Sequence, residues 1–253
     1  MGTADIKTEL SNKLLKQQFT QEQKESGLLE QCKQVAASYA YTENAIAVLS
    51  DMKANKSYIY YGGVARTLGI IEGNMPQTVQ SIWEEDIFKR IHPDDLRQKH
   101  LQELHFFHYL KNSSAEQRKD YCLMNYIRMK DQGGTYHKII HRMFYIASTS
   151  DGSIWLALCL YNLSDSNETG SKIVNSLNGN SIKCTEQACN NLLTEREKEI
   201  LSLIGQGKMS KDIADTLCIS QNTVNRHRQN ILQKLQVSNS VQAYQTAREL
   251  GLL

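Results

Sequence analysis

The 253-residue sequence is defined first by absences. Its longest strongly apolar run, IWLALCLY at 154–161, falls far short of the roughly 20 residues that span a bilayer. The opening MGTADIKTEL lacks a basic region followed by an apolar core, so neither secretion nor membrane insertion is expected and the chain reads as cytoplasmic. The six cysteines, at 32, 122, 159, 184, 189 and 218, form no CxxC and have no histidine-rich partner at zinc-site spacing. Reduced thiols and no metal are expected. No G-x-S-x-G, P-loop or HExxH occurs, which leaves no footing for an enzyme, and no cofactor is implied. Charge excess is missing too: 29 basic against 27 acidic side chains give a net +2, so any attraction to a polyanion has to be local.

What is present suggests two domains, because the length suits two and 40% hydrophobic residues can fill two cores. Residues 1–44 are polar and helix-favouring, with weak apolar spacing through Leu28, Leu29, Val35 and Ala36, and read as a helical flank. From 45 the pattern changes. NAIAVLSDMKANKSYIYYGG is two short β-rich runs about a polar turn, and GGVARTLGI is a short helical piece. In IHPDDL, Pro93 suits the first helical position, where its missing N–H would be unpaired anyway, and Asp94 and Asp95 favour the positive helix end. That predicts a helix from about 94 to 110. Three β runs follow, at about 121–130, 136–147 and 154–161, separated by DQGG and STSDGS. Two strands, helices, then three longer strands argue for an α+β domain on an antiparallel sheet over 45–161. This layout, with IHPDDL before the last three strands, resembles the PAS sensor fold. The resemblance implies a PAS-like domain that senses a small molecule or docks a partner protein. Residues 162–192 turn to Asn, Ser and Gly and read as a linker, in which NG at 178–179 can close a small β-hairpin.

The C-terminal part is all helical in pattern. LLTEREKEILSLI begins with Thr194 and has Glu197 three residues on, the spacing of a capping box, with Ile200, Leu201 and Ile204 as the buried stripe. SKDIADTL is a short second helix that CIS ends, and Ser220 can cap a third, longer one. On that third helix Ile231 and Leu235 each fall within about 20° of Val224, giving a narrow core seam. Opposite lie Asn222, Arg226, Gln229 and Gln233, with Asn225 on the flank. Residues 217–235 contain no carboxylate at all. A helix lying among phosphates would lose affinity with each acid it carried, while Arg can pair with guanine and Asn or Gln with adenine.

Through LTEREKEIL, KDIADTLCIS, TVNRHRQNILQKL and the final helix near VQAYQTAREL, residues 193–253 resemble the LuxR-type DNA-binding domain, a four-helix unit. The resemblance implies that the third helix enters the major groove of double-stranded DNA, with Asn225, Arg226 and Gln229 reading bases. It implies phosphate contacts at Lys211, Thr223 and Lys234, and at Arg228 if its head snorkels out from beside the core seam. Met209 departs from the capping Ser or Thr usual in that family, and Ser240 stands where many members have Arg. On the last helix Val241, Tyr244 and Arg248 recur at i, i+3 and i+7, apart from a core stripe of Ala243, Ala247 and Leu250, and are expected to form a homodimer contact. Together these features predict a cytoplasmic transcription regulator that binds DNA as a homodimer, works with the transcription machinery and answers a signal by population shift.

Two rival readings come from other classes. A signalling scaffold would use the PAS-like domain for protein interaction, with no direct DNA readout. A metal-dependent enzyme would use His100, Glu103, His105 and His108 in HLQELHFFHY, but these fall on differing helix faces and fit an ordinary, partly exposed helix. His137 and His141 share a strand face and either line a pocket or pack across strands, and Cys184 and Cys189 read as reduced thiols. NAIAVLSDMK lacks the acidic pair of a phosphoacceptor receiver, no Asn-Cys-Arg suits a flavin photosensor, and the Trp and Tyr-Asp signature of an autoinducer-binding domain is missing.

Overall fold

The computed structural model describes residues 3–19, 25–70, 76–111, 113–183, 193–235, 237–249 and 252–253. They divide into two compact units, the larger comprising Thr3–Phe106 and Ser113–Lys183, and the smaller carrying the C-terminal helices. In the first part of the chain, α1 (Thr3–Leu15) and α2 (Glu25–Thr42) precede the hairpin β1 (Ile46–Asp51) and β2 (Lys56–Tyr61). Then come α3 (Gly63–Thr67), β3 (Gln77–Val79), α4 (Glu85–Phe88), α5 (Pro93–Leu110) and α6 (Ala115–Arg118). The strands β4 (Tyr121–Lys130), β5 (Tyr136–Ser148), β6 (Ile154–Leu163), β7 (Gly170–Asn175) and β8 (Ser181–Lys183) complete one antiparallel sheet in the order β3-β2-β1-β6-β5-β4-β7-β8.

The sheet is covered on both faces at its centre, which strand alternation makes visible. Ile46 and Val48 point into a core that includes Leu68, Phe88 and Ile91, while Ala47 and Leu49, one residue out of phase, point into another with Ala36 and Ala40 of α2. Every residue of β1 is therefore buried, because successive side chains enter opposite cores. Ile127, Met129 and Ile139 extend the first core along β4 and β5. The helical flank expected over 1–44 has Ile6, Leu10 and Leu14 of α1 buried at i, i+4 and i+8, and α2 seated on the sheet.

Two sequence expectations change here. The stretch read as a linker continues the sheet as far as Lys183: β7 pairs with β4 from Tyr121↔Asn175 to Tyr126↔Gly170, and β8 pairs with β7. Gly179 closes that hairpin at φ 73, a left-handed conformation that its lack of Cβ permits. The small hairpin read about NG is thus formed, while its attachment to β4 was not expected, since only Ile173 of the six residues of β7 is buried. Residues 184–192, with Cys184 and Cys189, lie outside the described residues. The histidine-bearing helix is partly exposed, at Asp94, Arg97 and Tyr109, but not at its histidines: His100, Glu103 and His108 are buried and His105 half-buried. The cause is that the His100 side of α5 faces inward, where its ring meets Trp83 and Phe88 edge-on at 5.5 Å each. Burial pushes the His100 pKa down to about 3, so it packs as a neutral aromatic.

The smaller unit contains α7 (Glu195–Gly205), α8 (Ser210–Leu217), α9 (Gln221–Leu235) and α10 (Ser240–Glu249). Ile200, Leu201, Ile213, Val224, Ile231, Leu235, Ala243 and Ala247 are its buried centre.

Candidate nucleic-acid interface

Local capping chemistry sets each of these helices in place. Thr194 Oγ1 accepts from Glu197 N at 3.2 Å and the Glu197 carboxylate accepts from Thr194 N at 2.8 Å, so the capping box read from the sequence is formed. At the start of α8, Met209 offers no side-chain cap, and the Asp212 carboxylate instead accepts from Met209 N at 3.1 Å. One orphan donor is thereby satisfied without the Ser or Thr. Arg196 Nη2 donates to Leu217 O at 2.9 Å at the far end of α8, where Cys218 turns the chain in the left-handed region with φ 52 and ψ 44. Ser220 Oγ then accepts from Thr223 N at 3.1 Å and starts α9. Helix, three-residue turn and helix form the helix-turn-helix arrangement.

The core seam of α9 is Val224, Ile231 and Leu235, all buried. Its other side presents Asn222, Asn225, Arg226, Gln229 and Gln233, all exposed. Among the described residues, the side chains of Asn225, Arg226 and Gln229 make no hydrogen bond or ion pair. The structure thus brings the three expected base readers onto one open face that offers a guanidinium fork and two amides. Lys211 and Thr223 are also exposed, the latter with its hydroxyl 2.8 Å from Ser220 Oγ.

Arg228 and Lys234 are placed differently from the other expected contacts. Arg228 Nη1 donates to Ser210 Oγ and Nη2 to Ser240 Oγ, each at 2.9 Å, so its fork ties α9 to the starts of α8 and α10. Ser240, a departure by sequence, is the acceptor this arginine uses. Lys234 Nζ lies 2.6 Å from the Glu197 carboxylate. Burial pushes the Glu197 carboxyl up, but the Lys234 ammonium and the Thr194 donors outweigh it and hold the group below its usual range.

On α10, Val241 and Arg248 are exposed, while Tyr244 is half-buried. A Cβ at Gly205 would lie 2.1 Å from Tyr244 Cε2, so the glycine is what lets the ring rest on the end of α7. Tyr244 therefore has a packing role inside the unit that helical spacing alone did not reveal. Ala243 and Ala247 are buried as expected, and Leu250 lies outside the described residues.

The family model described as bacterial regulatory proteins, luxR family, matches residues 191–247. The chain is 47% identical over 62 residues to the uncharacterized response regulatory protein YgeK of Escherichia coli (strain K12), across 24% of this chain and 42% of that protein. It is 44% identical over 62 residues to the spore germination protein GerE of Bacillus subtilis (strain 168), across 24% of this chain and 84% of that protein. A solved structure of the transcription factor GerE matches at 45% identity, covering 24% of this chain and 92% of that one, with a TM-score of 0.24. The chain thus spans less than half the length of YgeK and most of GerE.

Proposed function

Because the chain belongs to the luxR family of bacterial regulatory proteins, we propose that it regulates transcription by binding double-stranded DNA at specific sites through α9. The observation that carries the reading is the outer face of α9, where Asn225, Arg226 and Gln229 stand exposed and unpartnered on a helix without a carboxylate. Set into a major groove, these groups trade water for base edges at little cost, and no acid on that helix repels the phosphates. Lys211 and Thr223 contact phosphate and fix the register. Arg228 and Lys234, already committed to Ser210, Ser240 and Glu197, act by holding the helices in position.

The protein acts as a cytoplasmic homodimer on paired half-sites about one helical turn apart, with Val241 and Arg248 of α10 in the contact and Tyr244 supporting them from Gly205. The N-terminal domain is PAS-like. What supports this is a hairpin, β1 and β2, docked by β1 against the last of three long strands, with α3, α4 and α5 connecting the two groups. A molecule or partner recognised there changes DNA affinity by binding one state of the protein better than another, and a tenfold change requires only about 1.4 kcal/mol of preference. The chain performs no catalytic step in this scheme.

Selection of bound fragments from a random DNA library by the full chain tests the proposal. A single enriched motif with two related halves is expected. Fragments without any common motif, retained equally well at high salt, would overturn it, since groove reading and phosphate attraction would both be missing.

A further inference from the structure

Beneath α5 the sheet carries a second group of polar atoms that DNA binding does not use. Asn125 on β4, His141 on β5 and Tyr161 on β6 are direct cross-strand neighbours, so register alone places them in one row. Cys159 on β6 stands opposite Met143, two residues on from His141 along β5, which makes it a diagonal neighbour of His141 on the same face. Glu103 reaches the pair from α5, its Oε1 4.0 Å from His141 Nε2. A carboxylate oxygen, an imidazole nitrogen and a thiol sulfur thus lie within 4.8 Å of one another. Of the α5 group in HLQELHFFHY, Glu103 is the member that belongs here, and the strands supply the other two, which spacing along one helix could not show.

His141 is 0% exposed, yet its Nε2 has no partner in the protein, a costly state for a buried nitrogen. Its Nδ1 lies 3.1 Å from the Asn125 amide. With that amide turned so that its oxygen accepts from Nδ1–H, Nε2 keeps its lone pair facing Glu103, which is how a ligating histidine is held. Cys159 retains accessible surface, so there is room beside it. Charge points the same way. Lys99 Nζ bonds Glu103 at 2.6 Å and also acts on Glu84, a buried carboxyl that Ser57 Oγ meets at 2.6 Å. Two buried carboxyls share one ammonium. The shortfall shows at Glu84, where burial outweighs Ser57 and Lys99 and pushes the pKa up to about 6.

We propose that Glu103, His141 and Cys159 form a site for a divalent transition-metal ion of the zinc type, with a water as fourth ligand. The mixed oxygen, nitrogen and sulfur set suits zinc, whereas magnesium and calcium take oxygen. Ligand atoms about 2.0–2.3 Å from zinc stand roughly 3.5 Å apart, so the three have to close by only about 1 Å. On binding, the Cys159 thiol, which burial pushes up and so keeps protonated in the metal-free chain, passes its proton to solvent and bonds the ion. Lys99 leaves Glu103 for Glu84. The thiolate, Glu103 and Glu84 then set three negative charges against the three positive charges of Lys99 and the ion, so the buried cluster becomes neutral. The site stands apart from the DNA-binding reading, because metal content is read without DNA.

The test uses the full chain carrying Cys184→Ser, Cys189→Ser and Cys218→Ser, which silences thiols outside the site, stripped with chelator and titrated with cobalt(II). One equivalent is expected to bind, with a thiolate-to-cobalt charge-transfer band and the intense visible bands of a tetrahedral ion, and zinc is expected to displace it. Cys159→Ser is expected to abolish the charge-transfer band. Lys99→Met removes the competing ammonium and is expected to tighten binding at least about tenfold. The same variant leaves Glu103 short of a counter-charge, and zinc is expected to restore the melting temperature it loses. If Cys159→Ser does not fold, Lys99→Met decides, since its predicted gain is one that a merely structural cluster would not show. No charge-transfer band up to about 1 mM cobalt, a band that survives Cys159→Ser, or an affinity unchanged or weakened in Lys99→Met would overturn the site.

Discussion

The outer face of α9 and the row beneath α5 both carry polar atoms without a partner in the protein, and the difference between them is water. Asn225, Arg226 and Gln229 are exposed, so solvent satisfies them and they stand ready at no cost to exchange it for another partner. Asn125 and His141 are sealed from solvent, so the same condition is a standing cost to the fold. Charge separates the two regions as well. The outer face of α9 carries Arg226 and no acid, which suits a polyanion, whereas the interior pairs Lys99 with Glu103.

Breaking the interior pair gives the largest expected effect. Glu103→Ala takes from the buried Lys99 ammonium its bonded carboxylate, leaving Glu84 as the acid that still acts on it, and should cost roughly 3 kcal/mol, read as a fall in the urea midpoint of the full chain. Lys99→Met combined with Glu103→Leu should cost far less, and an equal loss in both would mean that packing, not charge, sets the value. On the DNA-binding side the nearest counterpart is Arg228→Met, which removes two hydrogen bonds to serines. About 1–2 kcal/mol should be lost from the stability of the C-terminal helices, with base preference unchanged in whatever still folds. A shift in base preference would return Arg228 to the DNA surface.

The smallest effect concerns pH. The folded-state pKa of Glu197 lies below its unfolded value, so its contribution is fully present above the ordinary carboxylate range and is lost as pH falls through the folded value. Glu197→Gln should therefore flatten the acid limb of the stability curve of the C-terminal helices and leave the neutral region with a constant offset. An unchanged acid limb would show that its bond to Lys234 is not an ion pair of consequence.

Much of the C-terminal unit was legible because its signals are local. Thr194 with Glu197, and Ser220 before α9, announce helix starts within three residues, and the α9 seam follows from a single period. What was not legible depends on neighbours. A helical wheel places Arg228 beside the seam but cannot say that α8 and α10 present Ser210 and Ser240 to it, and it counts Tyr244 as outward although Gly205 leaves room for the ring. In the sheet, the hairpin about Asn178 and Gly179 could be read from its turn, but the pairing of β7 with β4 and the Asn125–His141 pair depend on register between strands. His137, grouped with His141 by strand spacing, instead bonds Asp131 at 2.8 Å near the strand end.

The central claim is that the outer face of α9 reads bases while Lys211 meets only phosphate. It is tested most directly by measuring Arg226→Ala and Lys211→Ala against every single-base-pair variant of the selected DNA site, at several salt concentrations. Arg226→Ala should lose about 1–3 kcal/mol at the selected site and become indifferent to one base pair. Lys211→Ala should weaken every sequence alike and reduce the salt slope by about one unit. A uniform loss in both variants, with every base preference intact, would contradict the assignment of that face to base reading.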